Sequence, residues 1–429
     1  MVVLKHQNNE VRKLKIIKMI LSIEFTFALF VFAGNFKSAL SFIPVDLTLL
    51  LLLYTLVLSA LKFKKDNRKI NFKFIILWLM LLGLVTISMI YTPSGGVAIE
   101  KYMRFAVVST WCFIGPFLIF KDKEGVSRFI YGVLSVALIM GVASLFNVNT
   151  QEIGFVDAFG SNYQALSRTT ASGALALIAV YLYSKENSKH RLLSLMLSIF
   201  LLIPTLVSGG RLAVLTAAII ALGIFPLMFF ELDIKNKSLK IYRRFYTYLI
   251  LTAITVASVY ITLKLELLNT FLYRLELMFN ESGGGSSVEG RTDRFLIADY
   301  MISQSPYFGK GFGSFGMFYH GYDKTDYPHQ IFLEFWAETG IITTLVFTTI
   351  FIISAIYCFR LWKHNKNDWI IVSLLSMFAF WWVGTIISSS ITDGKILFAF
   401  MGVLFTTYYI YKDKYNTEVN KYEFTKGEA

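Results

Sequence analysis

The chain has 429 residues, of which 55% are hydrophobic and only 16% charged, with a mean hydropathy of +0.59. Ordinary globular domains carry about 25% charged residues, so a soluble multi-domain protein is excluded. The net charge of +13 reads as basic short loops on one side of a membrane rather than as a nucleic-acid footprint, and no nucleic-acid partner is expected.

Taken in chain order, apolar stretches at about 17–34, 43–61, 74–92, 103–120, 129–147, 169–184, 192–207, 212–231, 246–264, 333–359, 369–389 and 396–411 predict about twelve transmembrane helices. Each is close to the length that crosses a hydrocarbon core of about 30 Å. The first is followed by Asn35 and Lys37 rather than by a small-residue cleavage site, so it reads as a retained helix. Glu24 lies inside it and Asp46 near the outer end of the second. An acid at such depth is either functional or paired, and pairing is the expectation here. Lys and Arg gather in alternate short loops, which puts both termini in the cytoplasm. Cys112 and Cys358 fall in or near apolar runs and read as small apolar residues. No metal-ligand spacing is present.

The polarity divides the chain into helices 1–9 at 1–265, an extracytoplasmic loop at 266–331, and helices 10–12 with a cytoplasmic tail at 332–429. A connection of that length in a compact membrane protein is usually functional. It opens with Leu267, Leu268, Phe271, Leu272, Leu275 and Met278, the spacing of a helix lying at the interface. Ser282–Ser287 is a glycine-rich break. Ser286 and Glu289 have capping-box spacing, and a helix is expected from about Val288 to Ser303, ended by Pro306.

The candidate site residues lie on the outer side. Ser208-Gly209-Gly210-Arg211 forms a tight hairpin between the seventh and eighth helices. A guanidinium at that mouth suits a phosphate, because its planar fork donates two parallel hydrogen bonds. Arg291 and Arg294 share a face of the loop helix, either as a solvated face paired with Asp293 or Glu289 or as part of an anion clamp with Arg211. Arg168, before the sixth helix, is a candidate of the same kind. His329, in Tyr327-Pro328-His329-Gln330, is the candidate general base. His320 lies in a stretch that reads as mobile. Glu334 and Glu338 fall in the first turns of the tenth helix, where carboxylates favour the helix dipole. Gly311, Gly313 and Gly316 spell a formal G-x-G-x-x-G. A helix precedes it instead of a strand, so it reads as a close-approach turn and not as a dinucleotide site.

In this order and on this side of the membrane, the residues resemble those of bacterial O-antigen ligases and O-antigen or capsule polymerases. The resemblance rests on Ser208-Gly209-Gly210-Arg211, on Gly290-Arg291, on Pro306-Tyr307-Phe308-Gly309-Lys310-Gly311-Phe312-Gly313, and on His329-Gln330 leading into Glu334 and Glu338-Thr339-Gly340. That family usually has Asn after the histidine where this chain has Gln330. The resemblance implies an all-α, GT-C-like integral membrane protein of the bacterial inner membrane. It implies an inverting glycosyltransferase independent of metal and of any cofactor, acting on an undecaprenyl-pyrophosphate-linked oligosaccharide. His329 would be the base, and Arg211, Arg291, Arg294 and Arg168 would bind the pyrophosphate. The polymerase of lipid-linked repeat units is the leading expectation, with a chain-length regulator and a flippase as companions. The alternatives are the ligase that moves glycan onto lipid A–core and, from another class, a lipid-linked oligosaccharide flippase. The loop carries no glycosidase-like pair of carboxylates. Tyr307, Phe312, Phe315, Phe318, Tyr319 and Tyr322 are candidates for a sugar platform or for packing.

Overall fold

A computed structural model describes residues 14–42, 44–63, 72–147, 155–185, 187–224, 229–233, 238–242, 244–264, 272–273, 276 and 286–427. Leu267, Leu268, Phe271, Leu275, Met278 and most of the glycine-rich break lie outside the described residues.

Among the described residues the predicted apolar stretches are helical over most of their length, except that the one at 212–231 ends in a strand from Phe230 and not in helix. The first is two helices, α1 (Leu14–Ile20) and α2 (Ile23–Phe32), bent by 48° across a short break where Ser22 caps α2. Then come α3 (Leu47–Phe63), α4 (Phe72–Ser88) and the span Gly96–Ile119. That span is built from α5 (Gly96–Met103), a π turn at Arg104–Ser109, and α6 (Thr110–Ile119). They are followed by α7 (Lys123–Ser144), α8 (Tyr163–Tyr183), α9 (Ser188–Val207) and α10 (Arg211–Ala218), the last continued by a π turn. A two-stranded antiparallel hairpin, β1 (Phe230–Asp233) and β2 (Ser238–Ile241), precedes α11 (Arg244–Lys264). The long loop contributes α12 (Ser286–Gln304) and α13 (Phe315–His320). The chain ends with α14 (Ile331–His364), α15 (Trp369–Ile387) and α16 (Lys395–Gly427).

Among the described residues, six of these helices are long and apolar enough to cross a membrane, or seven if the bent α1–α2 pair is one span. Shorter apolar helices at Leu47–Lys62, Phe72–Ser88 and Arg211–Gly223 accompany them. This is the architecture of a multi-pass membrane protein. Helices in lipid hold together by close packing rather than by water exclusion, and here aromatic rings fill the seams. Trp78 stacks on Phe113 with centroids 4.4 Å apart, Phe74 on Phe405 at 3.9 Å, and Phe351 on Trp382 at 4.4 Å.

The buried acid of α2 is paired. Glu24 accepts from Arg128 Nε and Nη2 at 3.0 and 3.1 Å, which is the fork geometry that makes a buried carboxylate tolerable. Asp46 pairs with Lys37 at 3.2 Å. Cys112 is buried and Cys358 half-buried, both as free thiols.

The connections predicted as outer cluster at one end of the bundle. Gly34 lies against Lys395, and Gly160 against Ser38. Gly95 donates its amide to the Asp323 carboxylate at 3.1 Å, and Ser389 donates its amide to the His329 carbonyl at 3.2 Å. The connections predicted as inner cluster at the other end, where Lys123 meets Asp368 at 2.6 Å.

Candidate active site beneath the loop

The loop is locked onto the bundle through a break in α14. Gly340 has φ 82° and ψ 174° in the middle of that helix, a backbone conformation that favours glycine. The break exposes main-chain groups, and the turn at 305–313 takes them up. Lys310 donates to the Ala337 carbonyl at 2.9 Å, Gly311 to Glu338 at 2.8 Å, and Ile341 to Pro306 at 3.0 Å. A Cβ at Gly340 would stand 2.0 Å from the Tyr307 carbonyl oxygen, and one at Gly311 2.2 Å from Thr92 Cα. The glycines of the formal G-x-G-x-x-G are therefore places where backbone meets backbone, as expected.

Beneath the turn lies a buried charge cluster. Lys101 Nζ stands 2.6 Å from Glu334 and 2.7 Å from Glu338, all three side chains nearly or fully buried. Glu338 also accepts from the amides of Gly313 and Phe315 at 2.8 and 3.2 Å, and Glu334 accepts from Ile391 at 2.8 Å. The expectation that these acids serve the helix dipole misses their main work. They tie the loop and the 388–394 connection to α5. The sequence offered no sign of this for Lys101, whose partners lie more than 230 residues away.

A second knot holds the descending limb of the loop. Arg294 grips Asp326 through Nε at 2.8 Å and Nη2 at 2.9 Å, and donates Nη1 to the Gly290 carbonyl at 2.7 Å. Its guanidinium lies 4.7 Å over the Tyr319 ring. His320 Nε2 meets the same Asp326 at 2.9 Å. Burial acts to raise the Asp326 carboxyl, but Arg294, the Tyr327 amide and His320 outweigh it and hold it below its ordinary value. Arg294 thus spends its donors inside the protein, on Asp326 and the Gly290 carbonyl. His320, in the stretch expected to be mobile, shares this contact. Among the loop aromatics, Phe312 and Phe315 are buried packing residues, while Tyr307 and Tyr322 are exposed.

His329 stands where these knots converge. Its φ of 59° is left-handed, a strained conformation for a residue with a side chain and one that gathers at functional sites. Its carbonyl accepts from Ser389, and its ring lies 4.4 Å from that of Tyr327. Gln330 caps α14, its side-chain oxygen accepting from Leu333 at 2.6 Å. The amide at this position therefore starts the helix that follows the histidine. Burial lowers the His329 pKa from its ordinary 6.5, and the positive charges of Arg291 and Arg294 lower it further against the opposing pull of Asp326 and Asp393.

The arginines approach from separate elements. Arg168, on the first turns of α8, donates Nη2 to the Ser388 carbonyl at 3.2 Å and lies within electrostatic reach of Asp393, Tyr327 and Arg291. Arg211 opens α10 and is half-buried. Gly210 presses that hairpin against α8, since a Cβ there would stand 2.1 Å from Ser167 Oγ, so Arg211 starts beside the helix that carries Arg168. Arg291 is half-buried on α12. Asp393, which the sequence reading did not single out, is the exposed acid that both His329 and Arg168 sense. Its one signal was the polar run Ser388-Ser389-Ser390 before Asp393-Gly394, set between two apolar stretches.

The left-handed histidine and the arginines thus lie together at one end of a helical membrane bundle. Residues 193–348 match the family described as O-Antigen ligase (Wzy_C). The match is consistent with the O-antigen ligase/polymerase superfamily and supports an activity of that type. It includes Arg211, Arg291, Arg294, His329 and the Gly340 break, while Lys101 and Arg168 on helices, and Asp393 on the turn before α16, lie outside it. No curated protein matches the chain.

Proposed function

We propose that the protein is a surface-polysaccharide polymerase. In this reading it is an all-α, GT-C-like, inverting glycosyltransferase that joins undecaprenyl-pyrophosphate-linked repeat units at the outer face of the bacterial inner membrane. The observation that carries the proposal is the half-buried His329, kept below its ordinary pKa with Arg291 among the charges that act on it. A histidine in that state is neutral at pH 7 and able to accept a proton.

The chemistry follows from the charges. The hydroxyl of the acceptor sugar attacks the anomeric carbon of the donor, and its proton passes to His329. The bond from the anomeric carbon to the pyrophosphate oxygen breaks, and its electron pair leaves with the pyrophosphate. Negative charge therefore grows on the leaving group, where Arg211, Arg291 and Arg168 stabilise it as preorganised cations. Attack from the face opposite the leaving group inverts the anomeric carbon. Arg294 acts at one remove, fixing Asp326 and the limb that delivers His329. Asp393 opposes the arginines and steadies the imidazolium once the proton has moved.

The ligase of the same superfamily would share donor and chemistry and differ in acceptor. A flippase fits less well, because transporters place their charged sites near the bilayer midplane, whereas these residues sit at one end of the bundle under the loop. The discriminating experiment is deletion of the gene followed by a profile of surface glycan. Glycan reduced to single repeats supports the polymerase. Full-length lipid-linked polymer that never reaches lipid A assigns the ligase instead. Loss of all outer-face repeats assigns the flippase.

A further inference from the structure

The end of the bundle opposite His329 holds a cavity of about 870 Å³. Three connections close around it: the start of α7, Ser184, Lys185 and Asn187 between α8 and α9, and the 363–369 link between α14 and α15. They bring four ammonium groups to one space, those of Lys123, Lys185, Lys363 and Lys366. Among the described residues, Asp368 is the one acid on its wall, and it is already committed. Its Oδ2 lies 2.6 Å from Lys123 Nζ and accepts from the Tyr411 hydroxyl at 2.7 Å, and its Oδ1 accepts from the Ile370 amide at 3.1 Å as the cap of α15. Among the described residues, Lys185, Lys363 and Lys366 have no carboxylate within ion-pair distance. Lys366 rests instead 5.1 Å over the Trp362 ring.

Positive loops on one face need no ligand to explain them. What exceeds that rule is the convergence of cations from three separate connections on one cavity, where the one acid among the described lining residues is spent on a helix cap and one lysine. We propose that this cavity binds a phosphate-bearing anion, and that in the membrane the anion is the headgroup of an anionic phospholipid. Tyr183 and Trp369 stand on its wall, as amphipathic rings do at headgroup depth. Basic pockets between helices at that depth suit phospholipid phosphates. Lysines, as point charges on flexible stems, accept a phosphodiester without demanding one orientation. Occupied, the site would clamp the α14–α15 connection to α7 and to the α8–α9 link, at the far end of the helix that begins just after His329.

The test is native mass spectrometry of the full chain released from nanodiscs of phosphatidylcholine mixed with cardiolipin or phosphatidylglycerol. The wild type should retain anionic lipid over phosphatidylcholine by about tenfold or more, since each lysine near a phosphate contributes about 1 kcal/mol. The variant Lys185→Gln/Lys363→Gln/Lys366→Gln should lose that preference. A matched variant at the same end, Lys62→Gln/Lys121→Gln/Lys189→Gln, should keep it. In nanodiscs of phosphatidylcholine alone, inorganic pyrophosphate serves as the soluble probe. Pyrophosphate binding that vanishes in the cavity variant, with no lipid preference in the wild type, keeps the phosphate site and assigns its source to the aqueous side. Equal anion retention by wild type and cavity variant overturns the proposal. So does an equal loss in the matched variant, because the effect would then be diffuse charge.

Discussion

At the scale of single residues, His329 sets the pH response. Its pKa lies below 6.5 in the folded protein, so the imidazole stays neutral until the pH falls past the ordinary histidine range. The acid limb of the pH–rate profile should therefore fall below 6.5. Removing a positive neighbour relieves part of the depression, so Arg291→Gln should move that limb upward. Removing a negative neighbour deepens it, so Asp393→Asn should move it downward. Rates measured from pH 5 to 8 on the three proteins check both signs, and limbs that coincide would detach His329 from the proton transfer. The same shift has a stability consequence. A depressed histidine contributes stability that is present above pH 6.5 and is lost as the pH falls through the folded pKa. Arg211 is tested by conservative replacement. Arg211→Lys keeps the charge and loses the fork, and it should cost about tenfold or more in turnover if a bidentate phosphate contact matters. Unchanged turnover would leave Arg211 only an anchoring role.

At the scale of elements, the loop works because two knots hold it. The Lys101 cluster is the deeper one. Removing one partner of a buried ion pair leaves an uncompensated charge and costs about 3–5 kcal/mol. Lys101→Met should therefore loosen the loop, seen as faster proteolysis near 305–330, whereas Lys101→Met with Glu338→Gln should recover part of the loss. Equal protease resistance of Lys101→Met and wild type would remove the clamp from the account. The helices themselves were legible in the sequence, because runs of apolar residues without charge leave the backbone few other solutions in lipid. The loop helix was legible too, from capping residues and Pro306. The short hairpin of β1 and β2 was missed although its strands alternate, as Phe230-Glu231-Leu232-Asp233 and Ser238-Leu239-Lys240-Ile241, because 212–231 reads as one apolar run that swallows the start of the first strand. The cluster was hidden for a different reason. Lys101, Glu334 and Glu338 look like ordinary interfacial charges until the Gly340 break folds the glycine turn over them. Arg294 shows the opposite limit, because its spacing from Arg291 was plain while its partner Asp326, on the far limb of the loop, was not.

At the scale of the whole molecule, sidedness decides which readings survive. Among the described residues, connections predicted as outer meet at the His329 end, and the starts of α7, α9 and α15, predicted as inner, meet around Lys123 and Asp368. A cysteine placed at exposed Tyr322 should react with a membrane-impermeant maleimide in intact spheroplasts. One placed at Lys363 should react only after permeabilisation. The reverse pattern would invert the topology and, with it, the access of an outer-face donor. The central claim, however, is chemical. It is tested most directly by expressing His329→Ala in a strain deleted for the gene and comparing its surface glycan with that of the wild type at matched membrane levels. The account predicts that the variant inserts normally and leaves the glycan at single repeats. A polymer of normal length and amount from that variant would contradict it.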